Sequence, residues 1–128
     1  MSLTYPETEN LTRRIIGLAI EVHRHLGPGL LEASYEDCLC WELEEAQIAF
    51  HRQPQLPIVY KGRRLGTCYR PDLIIESKII VEVKAVDKLI DIHQAQLLTY
   101  LKHAGIRVGF LFNFNSAVLV NGMKQLSN

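Results

Sequence analysis

Two acids and a lysine lie close together in the segment Pro71 to Lys84, PDLIIESKIIVEVK, and they are the residues of this chain best suited to chemistry. The segment holds two runs rich in isoleucine and valine, Asp72 to Ile75 and Ile79 to Val86, separated by Glu76, Ser77 and Lys78, which is the pattern of a β-hairpin. Side chains alternate along a strand, so Ile79, Val81, Val83 and Ala85 share one face and Ile80, Glu82, Lys84 and Val86 the other. A three-residue loop pairs Ile75 with Ile79. Counting outward then sets Ile74 against Ile80, Leu73 against Val81 and Asp72 against Glu82. A loop one residue longer or shorter would turn Asp72 to the opposite face.

The β-carbons of such a pair stand roughly 4.5–5.5 Å apart, and like charges so placed are destabilising. Two kinds of compensation fit. In the first, Lys84, a diagonal neighbour, and a nearby arginine neutralise the acids on a solvated strand face. In the second, a hard divalent cation binds between the carboxylates, because such ions prefer oxygen ligands. Spacing alone leaves both open.

The hairpin must be held by flanking elements. Leu11, Ile15, Leu18 and Val22 recur at helical spacing, with Ile16, Ala19 and Ile20 widening the stripe. They predict an amphipathic helix from Asn10 to His25, stopped by Gly27, Pro28 and Gly29. Glu21, His23 and His25 near its end read as surface residues. A second helix is expected from about Leu31 to Ala46, with Leu39, Trp41 and Leu43 as its apolar contacts. Its first turns carry Glu32, Tyr35 and Glu36 on one face. An acidic first turn suits the helix dipole with no further role; alternatively, one of these acids points at the hairpin as a third carboxylate.

From Phe50 to Tyr60 the pattern is broken by Pro54 and Pro57, as in an edge strand or an irregular extended run. Lys61-Gly62 marks a tight turn, and Arg63 to Tyr69 a returning strand. Beyond the hairpin a helix is predicted from Asp91, as N-cap, to His103, with Gly105 as the stop and Leu97, Leu98 and Leu101 as the apolar stripe. His93, Gln96 and Tyr100 form a second, polar-aromatic stripe suited either to packing or to lining a cleft. Arg107 to Asn113 suits a buried strand. Ala117 to Asn121 and Met123 to Leu126 suggest a short final strand or hairpin about Asn121-Gly122.

The chain has 128 residues, 48% of them hydrophobic, which fits one domain with a two-layer core. No apolar run approaches the roughly 20 residues of a membrane span. The opening MSLTYPETEN lacks the basic and apolar regions of a signal peptide, so a cytoplasmic location is expected. Cys38, Cys40 and Cys68 are odd in number and lack zinc-type spacing, and are read as reduced thiols. Net charge is zero, which argues against a strongly basic nucleic-acid binder. The distribution is uneven, however: residues 1–50 hold three Lys/Arg and nine Asp/Glu, residues 51–90 eight and four. The carboxylate hairpin thus lies in a net positive region with Arg52, Lys61, Arg63, Arg64, Arg70, Lys78 and Lys88, which suits either a polyanionic substrate or a solvated face.

The element order indicates an α/β sheet flanked by helices. Pro71-Asp72 followed by Glu82-Val83-Lys84 resembles the PD-(D/E)xK signature of the restriction-endonuclease-like nuclease superfamily. Gln96-Leu97-Leu98-Thr99-Tyr100 is similar to the QxxxY motif of its RecB-type members. Gly29-Leu30-Leu31-Glu32-Ala33-Ser34-Tyr35 matches the GxxExxY pattern that names a family of small bacterial and archaeal proteins in that superfamily. Order and spacing of all three agree, from Gly29 to Asn113.

The resemblance implies a restriction-endonuclease-like α/β (α+β) fold, a central mixed sheet flanked by helices, in one nuclease-like domain over residues 1–128. It implies a phosphodiesterase site in which Asp72 and Glu82 bind Mg²⁺ (or Mn²⁺), joined by the backbone carbonyl of Val83 and, directly or through water, by Glu32. Lys84 would sit beside the attacking water and scissile phosphate, and Gln96 and Tyr100 would position the water, the lysine or a phosphate. Glu32 is preferred to Glu36 because it occupies the motif position. The implied activity is hydrolysis of nucleic acid, DNA before RNA. Since nothing resembles a separate DNA-binding module, a homodimer or partner protein is expected to supply grip. The competing class is a catalytically inactive nuclease-fold domain that binds nucleic acid or protein, which zero net charge favours. Against it, a domain without chemistry has no reason to hold two acids and a lysine on one strand face.

Overall fold

The computed structural model describes residues 5–128; Met1 to Thr4, the first part of the stretch read against a signal peptide, lie outside the described residues. The first helix, α1, runs Pro6–Leu26 and so starts before the expected Asn10. Pro6 opens it at the position where a missing N–H costs nothing, and Glu7 and Glu9 lie in the first turn, where the dipole favours acids. Leu11, Ile15, Ala19 and Val22 are its buried stripe. Gly27 ends it at φ 67, a conformation that favours glycine, and donates its N–H to the His23 carbonyl at 2.8 Å.

His23 is not a surface residue. Its Nε2 lies 2.8 Å from the Ser116 carbonyl, and its ring tilts over Phe114. In α2, Glu32–Glu45, the buried face is the series Tyr35, Leu39 and Leu43. Trp41 falls between the last two, well round the helix from that face, and is 58% exposed rather than a core contact.

Seven strands follow: β1 Phe50–Arg52, β2 Leu56–Tyr60, β3 Arg63–Tyr69, β4 Leu73–Ile75, β5 Ile79–Lys84, β6 Val108–Asn113 and β7 Met123–Ser127. Five form a mixed sheet in the order β1-β4-β5-β6-β7, and β2 and β3 form a separate two-stranded ribbon. The proline-broken run thus divides into an edge strand and one arm of the ribbon. Strand β5 pairs antiparallel with β4 and parallel with β6. The parallel pair needs a crossover, which the helix α3, Asp91–Ala104, provides.

The hairpin separates two cores. Leu73, Ile75, Ile79, Val81 and Val83 pack with the stripes of α1 and α2, while Ile74 and Ile80 face Leu97, Tyr100 and Leu101 of α3. Helices therefore cover both faces of the sheet. Gly109 of β6 lets α3 approach closely: a β-carbon there would lie 2.9 Å from Leu97 Cδ1.

Two further boundaries differ from expectation. Ile90, not Asp91, is the N-cap of α3, and the Nδ1 of His93 accepts the Ile90 N–H at 3.0 Å, so an imidazole does the capping. Residues 117–121 are not a strand; a 3-10 turn, Leu119–Gly122, leads into β7. Gly122 packs there so tightly that a β-carbon would lie 2.6 Å from the Asn113 carbonyl oxygen, so the turn has no room for a side chain at that position. No helix among the described residues is long and apolar enough to cross a membrane.

Candidate active site

The observed register pairs Leu73 with Val81, Ile74 with Ile80 and Ile75 with Ile79. One step further out Asp72 faces Glu82, and each acid is gripped by the other strand's backbone. The Asp72 N–H donates to Glu82 Oε2 at 2.6 Å, and the Val83 N–H donates to Asp72 Oδ2 at 2.7 Å. These two bonds fix the carboxylates side by side and leave Asp72 Oδ1 and Glu82 Oε1 over. Lys84 shares the face, its Nζ 4.0 Å from Glu82 Oε1. That is the outer limit of an ion pair, so the lysine attracts both acids and neutralises neither.

Burial dominates the electrostatics. It pushes Glu82 up from 4.5 to about 8, and the charge of Asp72 adds to it. Asp72 is pushed up from 3.8 to about 6, again by burial first, against the opposing Val83 hydrogen bond and with the charges of Glu36 and Glu32 contributing. Lys84 lowers both but does not offset desolvation. A buried and a half-buried carboxylate with too little positive charge beside them are the donor set a hard divalent ion fits, since Mg²⁺ takes one or two carboxylates and keeps several waters. Among the described residues no three acidic, histidine or cysteine side chains gather closely enough to hold an ion. The close pair is Asp72 and Glu82.

The other expected acid, Glu32, stands exposed at the first position of α2, its Oε2 3.4 Å from the Ala85 N–H, one residue beyond Lys84. It reaches the same end of β5 as the pair. Tyr35, one turn on, is fully buried, and its hydroxyl donates to the Gly27 carbonyl at 2.6 Å and accepts the Leu30 N–H at 3.0 Å. The tyrosine thereby pins the loop that leads into Glu32. Glu36 is buried and already engaged, accepting from Arg52 Nε at 2.6 Å and Gln53 Nε2 at 3.0 Å. Arg52 also binds Asp37 at 2.6 Å.

From α3, Tyr100 lies buried within reach of the charges of Glu82 and Asp72, and Gln96, one turn earlier on the same stripe, is exposed. Tyr100 is buried edge-on against Tyr69 at 5.7 Å. Its hydroxyl is held above its ordinary proton affinity by burial first, then by the charges of Glu82 and Asp72. Gln96 is exposed and makes no hydrogen bond to the acids or to Lys84. His93, the third member of that stripe, is used as the helix cap.

One supporting residue was not signalled by spacing. Asn113, buried at the end of β6 beside Lys84, accepts the Val86 N–H at 3.0 Å and donates to the Val86 carbonyl at 2.9 Å. A polar residue ending an otherwise apolar strand run was the available clue.

A family model described as the PD-(D/E)XK nuclease superfamily matches residues 9–126, and the mixed sheet between helical layers is the restriction-endonuclease-like arrangement. No curated protein and no solved structure is significantly similar to the chain.

Proposed function

The chain belongs to the PD-(D/E)XK nuclease superfamily, and from that membership and the paired acids we propose a Mg²⁺- or Mn²⁺-dependent nuclease that hydrolyses phosphodiester bonds, DNA before RNA. Within the superfamily, Gly29, Glu32 and Tyr35 support a place among the GxxExxY proteins. The observation that carries the reading is Asp72 facing Glu82 beside Lys84, with one oxygen of each acid left over after the backbone has bound the other. An inert module gains nothing from two carboxyl groups set side by side where burial opposes their ionisation.

In this reading Asp72 Oδ1, Glu82 Oε1 and the Val83 carbonyl hold the ion, with Glu32 joining directly or through water. When bound, the ion lowers the pKa of a water and neutralises charge on the phosphate. Lys84 places an ammonium where negative charge develops on the phosphate oxygens. Tyr100 orients Lys84 or the phosphate, and Gln96 meets the nucleic acid from the solvent side of α3.

The test has two arms. Mn²⁺ raises the melting temperature of the native chain and not that of Asp72→Ala; equal protection of both would put the ion elsewhere. Mn²⁺-dependent cleavage falls about 10²–10³-fold in Lys84→Ala, the usual cost of losing one charge-stabilising contact. Undiminished cleavage in that variant would sink the assignment.

A further inference from the structure

The ribbon β2–β3 stands apart from the main sheet. Its root is held, because Leu56 and Tyr69 pack on the α3 cluster. Its outer part is not: every residue from 59 to 68 is exposed, including Val59, Tyr60 and Leu65. There is no Asp or Glu between residues 53 and 71, while Lys61, Arg63, Arg64 and Arg70 all fall there.

The arginines divide sharply. Arg13 pairs with Glu9, Arg24 with Glu21, Arg52 with Glu36 and Asp37, and Arg107 with Glu7, while Arg14 donates to the Ala46 carbonyl. Among the described residues the arginines with no ion pair or side-chain hydrogen bond are Arg63 and Arg64, on the ribbon, and Arg70, the residue after it. One exposed arginine needs no account, but two on a projecting arm and a third at its root, in a stretch without acids, make a surface of one sign.

That charge lies on both faces. Tyr60 pairs with Arg63 and Val59 with Arg64, and successive residues of a strand point to opposite sides. Toward the root of the ribbon, a groove of about 400 Å³ is lined by Gln55, Gly66, Cys68 and Arg70. Cations on both faces of a ribbon match an occupant with anions on two walls. The major groove of B-form DNA, roughly 12 Å wide, admits a two-stranded ribbon between its phosphate backbones. A single strand would use one face only, and the major groove of duplex RNA is too narrow to enter.

We propose that the β2–β3 ribbon enters the major groove of duplex DNA, Arg63 and Arg64 reaching phosphates on opposite walls and Arg70 receiving the backbone beside Asp72. The inference rests on the nuclease reading for the choice of nucleic acid as occupant. It places the grip within this chain instead of in a partner protein.

The experiment titrates metal-free protein against a labelled DNA duplex, its single strand and the matching RNA duplex, by fluorescence anisotropy over a salt series. The DNA duplex binds tightest. Arg63→Ala/Arg64→Ala weakens it roughly tenfold and flattens the log–log salt slope by about 1.8, at about 0.9 per phosphate contact. Lysine at both positions keeps the slope, which a purely structural role would not require, and a circular-dichroism melt checks that the alanine variant folds. Unchanged affinity and slope in the alanine variant, no binding by the native chain, or preference for the single strand or RNA duplex overturns the proposal. So does a variant that changes sedimentation while holding duplex affinity, which would make the ribbon a contact between copies. The two readings fail separately. Ribbon-dependent binding without Asp72-dependent cleavage removes the nuclease, and Asp72-dependent cleavage with ribbon-independent binding removes the groove.

Discussion

Replacing Glu82 by glutamine should abolish cleavage and at the same time make the metal-free protein more stable. The amide oxygen still accepts the Asp72 N–H, which Glu82 now does at 2.6 Å, so the cross-strand bond survives and the second negative charge is removed. Glu82 is pushed from 4.5 to about 8, burial first and the Asp72 charge second. Each tenfold change in proton affinity corresponds to about 1.4 kcal/mol. Part of the burial cost remains, because a buried amide is also desolvated, and the attraction to Lys84 at 4.0 Å is lost. The recoverable gain is then on the order of 1–3 kcal/mol, or about 4–12 °C in melting temperature for a domain of this size.

The sign follows from linkage. A carboxyl whose folded proton affinity exceeds its unfolded one gives full stability below the unfolded value, here 4.5, and loses it as pH rises toward the folded value, here about 8. Native protein therefore weakens across that window, while the glutamine variant does not share this loss. Thermal melts in chelator should show the two chains close together at the acid end and furthest apart at the alkaline end. A variant less stable than the native chain by the same margin at every pH would show that the Glu82 carboxylate is a structural group, and the account of a charge-strained site would fail.

Two further outcomes are expected. Tyr35→Phe removes the hydroxyl that joins Gly27 and Leu30, costing about 1–3 kcal/mol in denaturant melts and lowering cleavage by loosening the approach to Glu32, whereas retained stability would show the loop held by other contacts. Gly109→Ala drives a methyl against Leu97 and Leu101, costing about 1–3 kcal/mol and displacing α3 with Tyr100; an unchanged melt would mean the helix shifts without cost.

The hairpin could be read from the chain because two local rules suffice there. Alternation assigns the faces, and the loop Glu76, Ser77 and Lys78 sets the register; both hold to the residue in β4 and β5. The same locality explains the Lys61-Gly62 turn and the Gly105 stop, at φ 51, 77 and 67. What spacing missed depends on distant partners. His23 is buried because Ser116, 93 positions later, comes to meet it, and Glu36 is occupied because Arg52 and Gln53 fold back over α2. Trp41 was misplaced by hydrophobicity alone, since the angular position of a residue on a 14-residue helix with one covered face outweighs its type. Gln96 and Tyr100 share a helix face one turn apart, and spacing could not tell that the second is buried with Ile74 and Ile80 while the first stays exposed.

The ring that Asn113 closes with both main-chain groups of Val86 also separates two kinds of sequence freedom. A side chain there supplies the rung that a further strand residue would have made, so the ladder is complete before the connector to α3 begins. Substitutions at Asp87 and Lys88, between that rung and the anchored Leu89 and Ile90, should leave Lys84 where it is. Upstream of Val86 no such slack exists, because one inserted residue would reverse Glu82 and Lys84 together. The slack in this architecture accordingly lies just downstream of that joint, and the ammonium keeps its post when those two residues change.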